Sequence, residues 1–240
     1  MEINKIYCES NLETMARMED KSIDYVLTSP PYNIGYNNMN GNSSKKYKEF
    51  DDNFSDDDYF EQQVYLIEEL LRVTKNHVFY NIQMLGGNKL SFLKLIGNFS
   101  SRIKDIMIWE KKMIPHIESG VLSSNFEFII IFSDNLPDKK KFYDGNFKGN
   151  FSNLIKTSNK HHNEFSEKHK AIMPLDIPRM FMVKFGKPND IWYDPYSGTG
   201  TTAVAAILEQ RQYLGSEISN EYYDLSLKRI SQHQSQTRLF

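Results

Sequence analysis

The residues best suited to chemistry stand in two short strings far apart in the chain, Thr28-Ser29-Pro30-Pro31-Tyr32-Asn33 and Asp194-Pro195-Tyr196-Ser197-Gly198-Thr199-Gly200-Thr201-Thr202. Each follows a short apolar run, so each is expected as a loop at the carboxyl end of a strand. In the second string, Gly198 and Gly200 lack the Cβ that would hinder positive φ or the close approach of backbone to a ligand. A helix opening at Thr201-Thr202 would aim backbone N–H groups and a positive dipole end at a carboxylate or phosphate. Glu217, 17 residues beyond Gly200, falls where a nucleotide-binding sheet presents an acid to ribose hydroxyls. The string is not G-x-G-x-x-G and no P-loop lysine follows, which counts against a dinucleotide or a nucleoside triphosphate. In the first string, two rigid prolines ahead of an aromatic ring suit a hard-walled pocket for a flat substrate.

Those loops need elements to hold them. Short apolar runs predict strands at Ile3 to Tyr7, Ile23 to Leu27, Val78 to Ile82, Ile103 to Trp109, Phe126 to Phe132, Ile191 to Tyr193 and Tyr213 to Gly215. Between the first two lies a polar, helix-compatible stretch with Leu12 and Met15. Apolar residues at Phe60, Val64, Ile67, Leu70 and Leu71 fit an amphipathic helix over 59–73. Further helices are expected over Lys89 to Ile96, Ile177 to Phe185 and 201–210, while 134–170 reads as a polar stretch with few apolar runs. Strands alternating with helices predict an α/β fold built on a doubly wound, mostly parallel sheet. With 240 residues and 40% apolar content, one domain with an inserted region is expected.

Together the two strings resemble motifs IV and I of the S-adenosylmethionine-dependent DNA amino-methyltransferases. The catalytic string preceding the cofactor string is similar to the permuted β group of that family. The resemblance implies a Rossmann-like methyltransferase fold with S-adenosylmethionine as cofactor, held by Asp194, Pro195, Ser197, Gly198, Thr199, Gly200, Thr201, Thr202 and Glu217. Cys8-Glu9 stands where the family has a glycine-aspartate pair, so Glu9 is expected to help hold the adenine ring. His169-Lys170 through Pro174 and Arg179 resembles motif X, which implies that Lys170 helps enclose the methionine end. Phe126-Glu127-Phe128-Ile129 resembles the strand that follows the target-recognition region. That region is placed at 110–170, and 33–58 is expected as a mobile loop.

The chemistry implied for Ser29, Pro30, Pro31 and Tyr32 is methylation of an exocyclic amine. Such an amine is a weak nucleophile because its lone pair is delocalised into the ring. Acceptors aimed at its N–H bonds, the Ser29 hydroxyl and the Pro30 carbonyl, would draw it toward tetrahedral nitrogen, with Tyr32 stacked on the base. The base must leave the duplex to be reached. Serine at the first position favours cytosine N4, with adenine N6 nearly level. A catalytically silent nucleic-acid-binding module and an RNA or protein amino-methyltransferase stay open as alternatives. The family further implies DNA as partner, a homodimer, a cognate restriction nuclease and a prokaryotic or phage-infected cytoplasm.

Net charge is −2, so any DNA surface must be a local patch. Residues 139–170 carry eight lysines against three acids, with His161, His162 and His169. Lys139, Lys140 and Lys141 are the expected phosphate contacts there, with a charged surface loop as the alternative. The acidic run Asp51 to Asp58 reads as a solvated face or helix start, and no metal is expected. The single Cys8 forms no intrachain disulfide, no apolar run nears the roughly 20 residues of a membrane span, and nothing resembles a signal peptide. A soluble protein of a reducing compartment is expected.

Overall fold

A computed structural model describes residues 1–34, 52–111, 122, 124–134, 141–157 and 172–237. Eight strands and six helices follow in the order β1 (Lys5–Tyr7), α1 (Asn11–Ala16), β2 (Ile23–Thr28), α2 (Asp56–Val73), β3 (Thr74–Ile82), α3 (Lys89–Asn98), β4 (Ile103–Lys111), β5 (Phe126–Phe132), β6 (Leu154–Thr157), α4 (Asp176–Lys184), β7 (Ile191–Asp194), α5 (Thr201–Leu208), β8 (Gln212–Ser216) and α6 (Asn220–Thr237) among the described residues. They form one sheet in the order β1-β8-β7-β2-β3-β5-β4-β6. Only β5 runs against its neighbours, pairing antiparallel with β3 and β4. The mostly parallel, doubly wound sheet expected from the sequence is present.

Alternation along each strand divides the apolar residues between two cores. Leu27, Phe79, Ile129 and Ile131 face α4, α5 and Ile230 of α6. Val26, Val78, Tyr80, Ile130 and Phe132 face Met15 of α1, the apolar stripe of α2 and Phe92 and Leu95 of α3. On the first face Tyr25 stacks on Trp192 with ring centroids 4.6 Å apart. Burying each such side chain contributes roughly 1.5–3 kcal/mol. Local signals set the helix starts: Ser10 and Glu13 form a capping box on α1, and Ser55 caps α2 ahead of Asp56, Asp57 and Asp58.

Within the region 110–170, strands β5 and β6 belong to the main sheet. Strand β6 was hidden in the polar stretch; it pairs with β4 through Ile108 and Leu154. Between them Phe142, Phe147 and Phe151 pack on the first core, with Phe142 and Phe147 ring centroids 5.3 and 5.4 Å from Phe185. Isolated aromatics among Asn, Gly and Lys show no period, although each is an anchor. Helix α6, not expected from the sequence, seats Ile230 in the first core. Of the loop expected over 33–58, residues 35–51 lie outside the described residues, and the described end 52–58 is tied down by Asp52 and the cap of α2.

Helix α5 carries the chain from β7 outward to β8, whereas α2 carries it from β2 outward to β3 in the opposite direction. The sheet therefore reverses its winding between β7 and β2, which opens a crevice at their carboxyl ends.

Candidate active site

Both strings end at that crevice and are bonded across it. Thr28 Oγ1 donates to Asp194 Oδ1 at 3.0 Å, Thr202 Oγ1 donates to Asp194 Oδ2 at 2.7 Å, and the Tyr196 amide donates to Oδ1 at 3.1 Å. Burial pushes the Asp194 carboxyl up to about 6, against the stabilisation those three donors give its charged form.

The glycine turn is held from three sides. Gly198 and Gly200 adopt φ of 51° and 76°. The Gly198 amide donates to Glu217 Oε2 at 2.7 Å, and the Ser219 amide donates to Oε1 at 2.9 Å. The Ser197 amide donates to the Ser216 carbonyl. From below, a Cβ on Gly200 would lie 3.1 Å from Ser226 Cβ of α6. One helical turn later, buried Arg229 donates to Thr201 Oγ1 at 2.8 Å and to the carbonyl and hydroxyl oxygens of Thr199 at 3.3 Å. Burial lowers the Arg229 guanidinium to about 10. The hydroxyls of Thr199, Thr201 and Thr202 thus shape the turn from inside the protein. Helix α5 starts at Gly200 without a side-chain cap, so its leading N–H groups are the donors suited to an anion. Beside Glu217, Ile218 presents an apolar side chain that is 48% exposed.

Of two further expected cofactor contacts, Glu9 is described and Lys170 is not. Glu9 accepts from Thr14 Oγ1 at 2.7 Å and is paired with Arg17, whose guanidinium keeps the carboxyl below its usual range.

The catalytic string is clamped through its carbonyls. Tyr59 Oη donates to the Pro31 carbonyl at 2.7 Å and Asn88 Nδ2 to the Tyr32 carbonyl at 2.9 Å. Asn33 sits at φ 55°, its amide donating to Asp52 Oδ1 at 2.7 Å and its side chain bonding to Phe54 and the Gly87 carbonyl. Among the described residues no donor reaches the Pro30 carbonyl, which leaves it available as an acceptor. Ser29 Oγ lies 2.6 Å from Tyr32 Oη, and Tyr32 Oη donates to Glu127 Oε2 at 3.0 Å. Asn81 Nδ2 reaches Glu127 Oε2 at 2.5 Å, Tyr32 Oη at 2.7 Å and Ser29 Oγ at 3.3 Å. Lys111 forms an ion pair with Glu127.

The sequence reading assigned no role to Asn81, Lys111, Asn88, Gly87 or Tyr59. A signal existed for Asn81 and Glu127: each is the one polar residue of an apolar run, Val78 to Ile82 and Phe126 to Phe132, and demands a partner when buried.

Lys141, expected as a phosphate contact, precedes a run of anchored residues. Its neighbour Phe142 meets His77 edge-on at 5.2 Å, and Asp144 accepts from Tyr25 Oη at 2.8 Å and bonds His77 Nε2 at 2.9 Å. Tyr25 and His77 are register partners lying four residues before Ser29 and Asn81, or about 13 Å back along the sheet. The aromatic anchors thus hold Lys141 toward the other end of the strands. Lys139 and Lys140 lie outside the described residues, as do His161, His162 and His169. Among the described residues no cluster of His, Cys, Asp and Glu could hold a metal, and no helix is long and apolar enough to cross a membrane.

A family model described as DNA methylase matches residues 23–228. The type II methyltransferase M.BglII of Bacillus subtilis is 26% identical over 261 residues, covering 95% of this chain and 69% of that protein. Among solved structures, PvuII DNA methyltransferase (cytosine-N4-specific) superimposes with a TM-score of 0.72 at 16% identity, covering 95% of this chain and 90% of that one. The M1.HpyAVI–SAM complex superimposes with a TM-score of 0.60 at 20% identity, over 94% and 98% of the two chains.

Proposed function

The chain belongs to the family of N6 and N4 DNA methylases; it is a DNA amino-methyltransferase that uses S-adenosylmethionine, and we propose that it acts on a flipped base through Ser29, Pro30, Pro31 and Tyr32, with cytosine N4 favoured over adenine N6. The observation that carries this reading is the Thr28–Asp194 hydrogen bond of 3.0 Å, which joins the substrate string to the cofactor string at the reversal of the sheet.

The donor set fits the cofactor. The uncapped start of α5 suits its carboxylate, the glycine turn suits close backbone approach, and Glu217, anchored by two amides of the turn, is a carboxylate suited to accept from ribose hydroxyls. Ile218 suits contact with the flat adenine. When bound, S-adenosylmethionine supplies a methyl group on a sulfonium centre. The protein's part is to position the amine: Ser29 Oγ and the Pro30 carbonyl accept its two N–H bonds, which localises the nitrogen lone pair. The clamps from Tyr59, Asn88 and Asn33 hold these acceptors in place before substrate arrives. Serine at position 29 and the likeness to a cytosine-N4-specific structure support N4.

The face that holds DNA belongs at the carboxyl ends of the strands, beside Ser29, rather than at Lys141. The type II name of the M.BglII relative supports a cognate restriction nuclease, and the family resemblance supports a homodimer in a prokaryotic or phage-infected cytoplasm. Incubation with S-adenosylmethionine and DNA, digestion to nucleosides and mass spectrometry should reveal N4-methylcytosine. N6-methyladenine would correct the base, and no methylated nucleoside would overturn the proposal.

A further inference from the structure

We infer that Glu127 is a positioning residue that fixes the direction of the hydrogen bonds at Ser29 and makes that hydroxyl an acceptor toward the target base. The inference rests on the reading that Ser29 faces the amine. A serine hydroxyl is ambivalent, with one proton and two lone pairs. Facing an amine it must accept. Facing a carbonyl it would donate. Nothing in the side chain alone chooses between the two.

The network makes the choice. Glu127 is 6% exposed, and its Oε1 side is ion-paired with Lys111, so Oε2 presents a carboxylate that only accepts. It draws one Asn81 N–H at 2.5 Å and the Tyr32 O–H at 3.0 Å. A phenol has a single proton, so Tyr32 Oη is left as an acceptor on its other side. The 2.6 Å contact with Ser29 must then be a bond from Ser29 to Tyr32. The second Asn81 N–H, at 2.7 Å, takes the other position on Tyr32 Oη. Asn81 lies farther from Ser29 Oγ, at 3.3 Å. The one serine proton therefore points into the protein, and its outward lone pair meets whatever enters the pocket. An amino group on the base finds an acceptor there; an oxo group finds lone pair against lone pair. Lys111, Glu127, Asn81 and Tyr32 give a neutral hydroxyl the polarity of a carboxylate.

The test is binding without cofactor. Once the methylated position has been mapped, affinity is measured for that duplex and for one whose target base carries oxygen in place of the amine, uracil for cytosine or hypoxanthine for adenine. The parent should prefer the amino base by about tenfold. In Glu127→Gln the amide N–H can donate to Tyr32, which turns the chain round, and the preference should shrink to about twofold or less. Tyr32→Phe cuts the chain between Ser29 and Glu127 and should shrink it likewise. The mispair made by the oxo base is common to parent and variants, so the change in preference reports the hydroxyl. In the double variant the effects should not add. Should either variant fold and keep the parent's preference, the inference fails. A parent that methylates no DNA defeats the underlying reading instead.

Discussion

An alanine methyl at Gly87 would stand 2.2 Å from the Asn33 carbonyl oxygen, and backbone cannot yield as a side-chain tip can. Gly87→Ala should therefore cost about 1–3 kcal/mol in denaturant unfolding and depress methyl transfer more than cofactor affinity, because Asn33 ends the catalytic string. Tyr32→Ala removes a ring and a link to Glu127 together. Tritiated-methyl transfer should fall by orders of magnitude while calorimetry shows S-adenosylmethionine affinity within a few fold of the parent. Asp194 offers a pH test. Its carboxyl titrates near 6 in the fold and about 3.9 unfolded, so the folded state holds the proton more tightly. Its stabilising effect is complete below the unfolded value and is lost as pH rises through the folded one. Between pH 4 and 6 the parent should lose up to roughly 3 kcal/mol relative to Asp194→Asn, with no further divergence above pH 7. Urea titrations of both proteins across that range would show parallel curves if the carboxyl is not buried as described.

Helix α6 illustrates what periodicity leaves out. Its contribution to the glycine turn comes from two residues three apart, Ser226 beneath Gly200 and Arg229 across Thr199 and Thr201. Arg229→Ala should weaken S-adenosylmethionine binding by about tenfold or more while leaving discrimination between amino and oxo bases intact. Seven of the eight described strands and most helices were legible because apolar runs and the 3.6-residue stripe of α2 are local signals. The two strings were legible because Gly and Pro have backbone requirements that show in one dimension. Partners were not: Glu127 needs Tyr32 and Asn81, which are 95 and 46 residues away, and no local pattern pairs them. Strand β6 escaped because an edge strand of four residues buries only Ile155.

Across the whole molecule, charge gives little guidance to the DNA face, since net charge is −2 and many described cations are already paired with acids. Lys141 lies toward the far end of the strands, so Lys141→Ala should leave the salt dependence of DNA affinity unchanged, where each lost phosphate contact would remove roughly 0.9 from the log-log slope. A flatter slope would return the DNA face to that end of the sheet. The bond between Thr28 and Asp194 spans 166 residues of chain, and that span bears on the order of assembly. Strands β2 and β3 can pair across one intervening helix, but β7 must insert beside β2 after almost all the sequence is available. Such distant closures slow folding. The catalytic crevice should accordingly be the last region to gain native contacts, so that a ribosome-bound chain stays inert until its C-terminal part emerges. In refolding from urea, protection of backbone amides in α2 and β3 should precede recovery of methyl transfer.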